Sequence, residues 1–309
     1  MGVALLGVGD GIVPGRYRLH SRFARVSNFV SDRDDLVAVV TPEVGTGPVN
    51  VVLDGPGDWP WESLEVMSGE VVLRHLAKAP GTGPDRSWNG GCERFRVSSE
   101  VRSDTRLERV RAAELSPVAL PAAIARILDQ ANPSSLAFLL SMELAGPRPG
   151  AEPAGSQGAG GSAFERVLAE RAREAVSLLA RSDLAGCARM LRGCGYGLTP
   201  SGDDFNTGLL AALWMVESAD LPGVHAAARS QSLLSNAFLD QAAAGRLNAA
   251  PRSFVQAVVR GQPDVLEASA RLLAVGATSG ADFAAGFLLT WKMLLERSPF
   301  QEARSLVGE

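Results

Sequence analysis

A change of texture near Leu107 is what most limits the folds open to this chain. Before it, the run from His20 to Leu53, "HSRFARVSNFVSDRDDLVAVVTPEVGTGPVNVVL", sets β-branched residues between turn signals at "SDRDD" and "PEVGTGP". That is the punctuation of short antiparallel strands. Further strand candidates follow at Glu70 to Leu76 and Glu93 to Val101, separated by "KAPGTGPDRSWNGG". After Leu107, alanine, leucine and arginine dominate, and apolar residues recur with a helical period. The chain of 309 residues is long enough for two domains, each with its own core. The expected fold class is therefore α+β, with a β-rich sandwich or partly open barrel over residues 1–110 followed by a mainly α-helical domain over 111–309.

Within the second part the expected helices are Ala119 to Gln130, Ser135 to Leu144, Phe164 to Arg181, Leu184 to Arg192, Phe205 to Glu217, Phe254 to Val259, Val265 to Ala274 and Phe283 to Glu296. A glycine-, proline- and alanine-rich stretch at about 146–162 reads as a flexible insertion within the helical half.

Bulk properties exclude several functions. A net charge of -4 supplies no basic field for nucleic acid. No apolar run approaches the ~18 to 20 residues of a membrane span, and "MGVALLGVGDGIVPG" has no basic region of the kind a signal peptide needs. The three cysteines, Cys92, Cys187 and Cys194, form neither a disulfide framework nor a zinc pair, so a reducing cytoplasm is the expected compartment. "VALLGVGDG" imitates a strand and dinucleotide turn, but Ile12 stands where the third glycine belongs and "VPGRYRLHS" cannot open a helix. No nucleotide or organic cofactor is expected.

The informative feature is a pair of turns. "SGDDFNTGLLAALWM" from Ser201 and "SGADFAAGFLLTWKM" from Ser279 share serine, glycine, aspartate, phenylalanine, a second glycine, leucine and methionine at matching offsets. This is an internal repeat of a loop-to-helix unit. Ser201 and Ser279 read as N-caps, and Asp204 and Asp282 as their capping-box partners. Gly208 and Gly286, in helix interiors, imply that another backbone or a ligand comes close.

Capping leaves Asp203 and Asn206 unexplained. Adjacent carboxylates on a rigid turn can hold Mg²⁺, and free N–H groups at a helix start can receive phosphate or carboxylate. Candidate site residues are therefore Asp203 and Asp204 for catalysis or metal binding, with Gly197, Thr199, Ser201, Gly202, Asn206, Thr278, Ser279, Gly280 and Asp282 for substrate. His20, beside Ser21 and Arg22, is the histidine best placed for catalysis, with a polar strand end as its plainer reading. His75 reads as a sheet histidine and His225 as an exposed helical one. Trp59, Trp61 and Trp88, in loops of the β half, could line a ligand surface or cap a small barrel.

"GLTPSGDDFNTGLLAAL", with "HSRFARVSNFV", "PEVGTGPVNVVL" and "VGATSGADFAAGFLL", resembles the bacterial family named after the AllH subunit of oxamate carbamoyltransferase. The resemblance runs from about His20 to about Leu295, and its specific part is the proline-serine-glycine-aspartate-aspartate stretch. It implies a subunit of a multisubunit carbamoyltransferase of purine (allantoin) breakdown, interconverting oxalurate plus phosphate with oxamate plus carbamoyl phosphate. The expected partners are those small anions and the other subunits, and not nucleic acid or membrane. The chain departs from the family at "GCGYGLTP", where Tyr196 replaces a frequent proline, and in the glycine-rich insertion. Two alternatives stay open: a non-catalytic scaffold or regulatory subunit, and a stand-alone metal-dependent hydrolase built on the two aspartates.

Overall fold

In a computed structural model, the described residues are 3–57, 59–75, 91–111, 114, 116–145 and 162–297. The glycine-rich insertion and Trp88 lie outside them. The chain divides into two compact units, Met1–Arg106 and Leu107–Glu309.

The first unit is one nine-stranded half-barrel sheet and not two stacked sheets. Its strands are β1 (Ala4–Gly9), β2 (Gly15–Arg22), β3 (Val26–Val30), β4 (Leu36–Val40), β5 (Asn50–Asp54), β6 (Ser63–Met67), β7 (Glu70–Arg74), β8 (Cys92–Arg96) and β9 (Arg102–Ser103). The spatial order is β8-β7-β6-β2-β3-β4-β5-β1-β9. Most neighbours are antiparallel, but β4 pairs with β5, and β1 with β9, in parallel. Alternate side chains from Tyr17, Phe29, Val37, Val39, Val51, Leu53, Leu64 and Val71 fill the core on one face.

Trp59 and Trp61 belong to that core, stacked 5.7 Å apart and 3% and 1% exposed, so they are packing residues and not a ligand surface. The glycine turn at the N-terminus also has a packing cause. A Cβ on Gly9 would collide with the carbonyls of Gly47 and Pro48, and the Gly11 N–H donates to Pro48 O at 2.9 Å.

The second unit is helical among its described residues. Its helices are α1 (Leu120–Gln130), α2 (Phe138–Ala145), α3 (Ala163–Ala180), α4 (Leu184–Leu191), α5 (Ser201–Met215), α6 (Leu221–Ala228), α7 (Leu233–Ala243), α8 (Ala249–Arg260), α9 (Val265–Leu273) and α10 (Ser279–Glu296). Helices α5 and α10 are buried almost all round, which marks a central pair. They pack on each other, with α4, α6 and α7 against α5 and with α1, α2, α8 and α9 against α10.

Local signals start and stop several helices. Ser162 and Glu165 form a capping box at α3, Asp183 accepts from the Gly186 N–H at 2.8 Å at α4, and Ser232 accepts from the Ser235 N–H at 3.2 Å at α7. Gly261 ends α8 in the left-handed conformation, φ 63°. Helices α6 and α7 are additions to the expected set. In α6, where His225 reads as helical, the proline sits in the first turn, where its missing N–H costs nothing.

Candidate functional site

The two repeated turns open α5 and α10, and each helix starts four residues earlier than the apolar periodicity placed it, at Ser201 and Ser279 rather than Phe205 and Phe283. This overturns the expected capping boxes. Pro200 and Thr278 occupy the N-cap positions, and neither start has a side-chain cap hydrogen bond. Ser201 and Ser279 are the first helical residues, and their hydroxyls serve the opposite repeat.

The Ser279 hydroxyl bears on the Asp204 carboxyl, and the Ser201 hydroxyl on the Asp282 carboxyl. Thr199 Oγ1 lies 3.4 Å from Ser279 Oγ, a further link across the pair. The glycines repeat the relation one turn later. A Cβ on Gly208 would come within 3.0 Å of backbone atoms of Phe283 and Phe287, and one on Gly286 within 3.0 Å of the Phe205 carbonyl. Gly202 and Gly280 sit equally close to the Leu191 and Leu272 carbonyls, at the ends of the preceding helices. The sequence repeat is thus a structural one, two helix starts facing each other through serine, aspartate and glycine.

Asp204 and Asp282 are the chemically distinctive groups here. Burial pushes the Asp204 carboxyl up to about 8, opposed by the Ser279 and Thr199 hydroxyls and reinforced by Asp282 and Asp203. Burial likewise raises Asp282 to about 6, opposed by the Leu136 N–H and the Ser201 and Thr278 hydroxyls. Leu136 N donates to Asp282 Oδ1 at 2.6 Å, whereas Oδ2 of both Asp204 and Asp282 has no hydrogen-bond partner. Asp282 is fully buried, while Asp204, Thr199, Thr278 and Ser279 are half-buried and give the pair its edge toward solvent. At neutral pH the pair therefore combines a protonated carboxyl at Asp204 with a carboxylate at Asp282.

Asp203 is placed differently. It is 1% exposed, its Oδ1 accepts from the Gly193 N–H at 2.6 Å, and its Oδ2 accepts from the Ser230 hydroxyl at 2.9 Å. Both oxygens are held by donors, which pins the turn to the loops after α4 and α6. Such a carboxylate does not fit as a Mg²⁺ ligand beside Asp204. Among the described residues no group of three or more histidine, cysteine, aspartate or glutamate side chains gathers to hold a metal. Asn206 is fully buried, and its Nδ2 donates to Ala188 O at 3.0 Å while its Oδ1 has no hydrogen-bond partner.

The backbone donors expected to receive an anion are largely engaged. Gly202 N donates to Cys194 O at 2.8 Å, Asp203 N and Asp204 N donate to Pro200 O, and Gly280 N donates to Val275 O at 3.1 Å. Gly197 lies in the exposed loop before α5 with φ 90°, a shape that favours glycine.

Cys187 and Cys194 are poor nucleophiles. Burial pushes Cys187 up to about 12 and raises Cys194 as well, with Asp203 adding to the effect and Arg171 opposing it.

His20 belongs to the sheet unit. It is exposed near the end of β2, at a break in register with β3, and its Nδ1 lies 3.2 Å from Ser21 Oγ. The register break turns His20 and Ser21 to one side. Asn28 Nδ2 donates to the same hydroxyl at 3.0 Å. His75 falls just after β7, outside the strand. His225 is not the exposed residue expected: it is half-buried, with Nε2 2.7 Å from Asp240 Oδ1.

Sequence reading missed Ser230, Gly193 and the Leu136 N–H, the groups that hold Asp203 and Asp282. Nothing in a serine of "ARSQS" or a leucine of "NPSSL" marks it as a partner of a distant aspartate. A cavity of about 210 Å³ lies elsewhere in this unit, lined by Arg109, Met215, Gln256 and Arg260, among others. Its arginines are already paired, Arg109 with Glu217 and Arg260 with Glu108, and none of the site residues lines it.

Residues 191–291 match the model of the family described as oxamate carbamoyltransferase subunit AllH. The resemblance carried by the two turns therefore holds over the segment from the end of α4 to Trp291 in α10. No curated protein and no solved structure matches the chain. Among the described residues no helix is long and apolar enough to cross a membrane.

Proposed function

We propose that this chain is a subunit of a carbamoyltransferase and that the paired starts of α5 and α10 contact the transferred group. The observation that carries the reading is the extent of the family match, because residues 191–291 contain both turns and everything between them. The matched segment carries the face-to-face unit that brings Asp204 and Asp282 together.

The reaction this implies interconverts oxalurate plus phosphate with oxamate plus carbamoyl phosphate, in the breakdown of allantoin. In the phosphorolytic direction a phosphate oxygen attacks the ureido carbonyl carbon, and the bond from that carbon to the oxamate nitrogen breaks. The electron pair stays on nitrogen, which must gain a proton to leave as an amide. A carboxyl kept protonated at neutral pH supplies one, and burial keeps Asp204 in that state. Asp282, held by the Leu136 N–H, accepts a hydrogen bond from the ligand's NH₂ group. In reverse, Asp204 takes the proton back as oxamate nitrogen attacks carbamoyl phosphate. Thr199, Ser279 and Thr278 at the edge position the ligand. The compartment that suits such a subunit, with its unpaired cysteines, is the cytoplasm.

One observation favours the second reading, a scaffold without chemistry of its own. Both Asp203 oxygens, the Asn206 Nδ2 and the Gly202 and Gly280 N–H groups are engaged within the chain, as a purely structural helix junction requires. The deciding experiment is reconstitution with the partner subunits and assay of carbamoyl transfer for wild type and Asp204→Asn. A site-bearing subunit loses transfer while still assembling, whereas a scaffold keeps both.

A further inference from the structure

The charge around the helix starts is one-sided. The groups acting on Asp204 are Ser279, Thr199, Asp282 and Asp203, and those acting on Asp282 are the Leu136 N–H, Ser201 and Thr278. No arginine or lysine is among them. Arg171 acts on Cys194, on the Asp203 side of the turn, and not on either member of the pair. A phosphate here would meet carboxyl groups from three aspartates with no cation among the groups that act on the pair, and the N–H groups of Gly202, Asp203, Asp204 and Gly280 are donated to the Cys194, Pro200 and Val275 carbonyls.

An uncharged amide suits the same residues. It presents one carbonyl that accepts and N–H groups that donate. The pair offers Oδ2 of Asp204 and Oδ2 of the fully buried Asp282, both without a partner, and a rim of hydroxyls that can donate or accept. A buried polar atom left unpartnered is costly unless something meets it. We infer that the α5–α10 helix starts receive the uncharged carbamoyl or ureido part of a ligand, and that phosphate is held by cationic groups outside them. The inference rests on the carbamoyltransferase reading for its ligand class; the choice of amide over phosphate rests on the residues. It assigns the anion-binding half of the reaction to another surface, such as a partner subunit.

Ligand-observed NMR on the full chain tests this, with ethylurea as the uncharged probe and inorganic phosphate as competitor. Ethylurea signals saturate with wild type, and excess phosphate leaves them unchanged. Asp204→Asn, which keeps a donor in the same shape, binds within about threefold of wild type, whereas Asp204→Leu, which removes it, binds about tenfold or more weakly, the scale of one lost buried hydrogen bond. Circular dichroism and urea denaturation confirm that both variants fold. Absence of ethylurea binding, displacement by phosphate, or equal binding by Asp204→Leu would each overturn the inference. Failure of the carbamoyltransferase reading looks different, since the chain would then bind ethylurea yet neither assemble with the partner subunits nor support transfer.

Discussion

Gly208 and Phe283 meet backbone to backbone: a Cβ at Gly208 would intrude within 3.0 Å of the Phe283 carbonyl oxygen, and Gly286 stands in the same relation to Phe205. Glycine inside a helix costs about 0.5 to 1 kcal/mol relative to alanine, so on propensity alone Gly208→Ala and Gly286→Ala would stabilise. Close approach reverses the sign. Each substitution forces α5 and α10 apart and destabilises by about 1 to 3 kcal/mol, the usual range for overpacking a core. Urea denaturation measures it, and a gain in stability for either variant would contradict the backbone contact.

Asp203 and Asp204 are neighbours with different work. Asp203→Ala leaves the Gly193 N–H and the Ser230 hydroxyl without their acceptor, at a cost of about 1 kcal/mol for each hydrogen bond lost. Ser230→Ala removes one of the two and costs less, and Asp204→Asn does not lower stability at neutral pH because the acid it replaces is already uncharged. Equal denaturation midpoints for Asp203→Ala and wild type would remove Asp203 from its anchoring role.

Stability should fall as pH rises through neutrality. Asp204 and Asp282 hold their protons more tightly folded than unfolded, since both are raised from an ordinary value of 3.8, to about 8 and about 6. The folded state therefore binds more protons between those limits. Their contribution is whole below the ordinary aspartate value and is lost as pH climbs through about 6 for Asp282 and about 8 for Asp204. Urea midpoints of wild type and Asp204→Asn, compared at about pH 5 and about pH 8.5, isolate the Asp204 share. The variant gains on wild type at the higher pH; parallel midpoints would mean that Asp204 is not held protonated by burial.

The sequence made the helix-start unit visible because serine, glycine, aspartate and phenylalanine recur at fixed offsets, and the second glycine correctly pointed to close approach. The partners of those residues were not visible. A serine followed by an aspartate at the third position reads as a self-contained capping box, and only the facing helix reveals that each serine serves the other repeat's aspartate. Asp203 stood out as the acid without a counterpart, yet it accepts from Gly193 and Ser230, where the second turn carries Ala281. The strand punctuation of the first half was legible for β3, β4, β5, β7 and β8, whereas β6 lay outside the expected strands. Helix α7 was not legible, because serine and asparagine signal loops wherever their tertiary neighbours are unknown, and of α6 only the helical position of His225 was legible.

The central claim is that the Asp204–Asp282 pair takes part in carbamoyl transfer, and its most direct measurement is turnover of the reconstituted complex carrying Asp204→Asn. Asparagine keeps the shape and a hydrogen-bond donor but has no proton to give. The account predicts an intact complex with kcat lowered roughly 100-fold or more, the scale of a lost general acid. An intact Asp204→Asn complex that turns over at the wild-type rate would contradict it and leave the two helix starts as a structural junction.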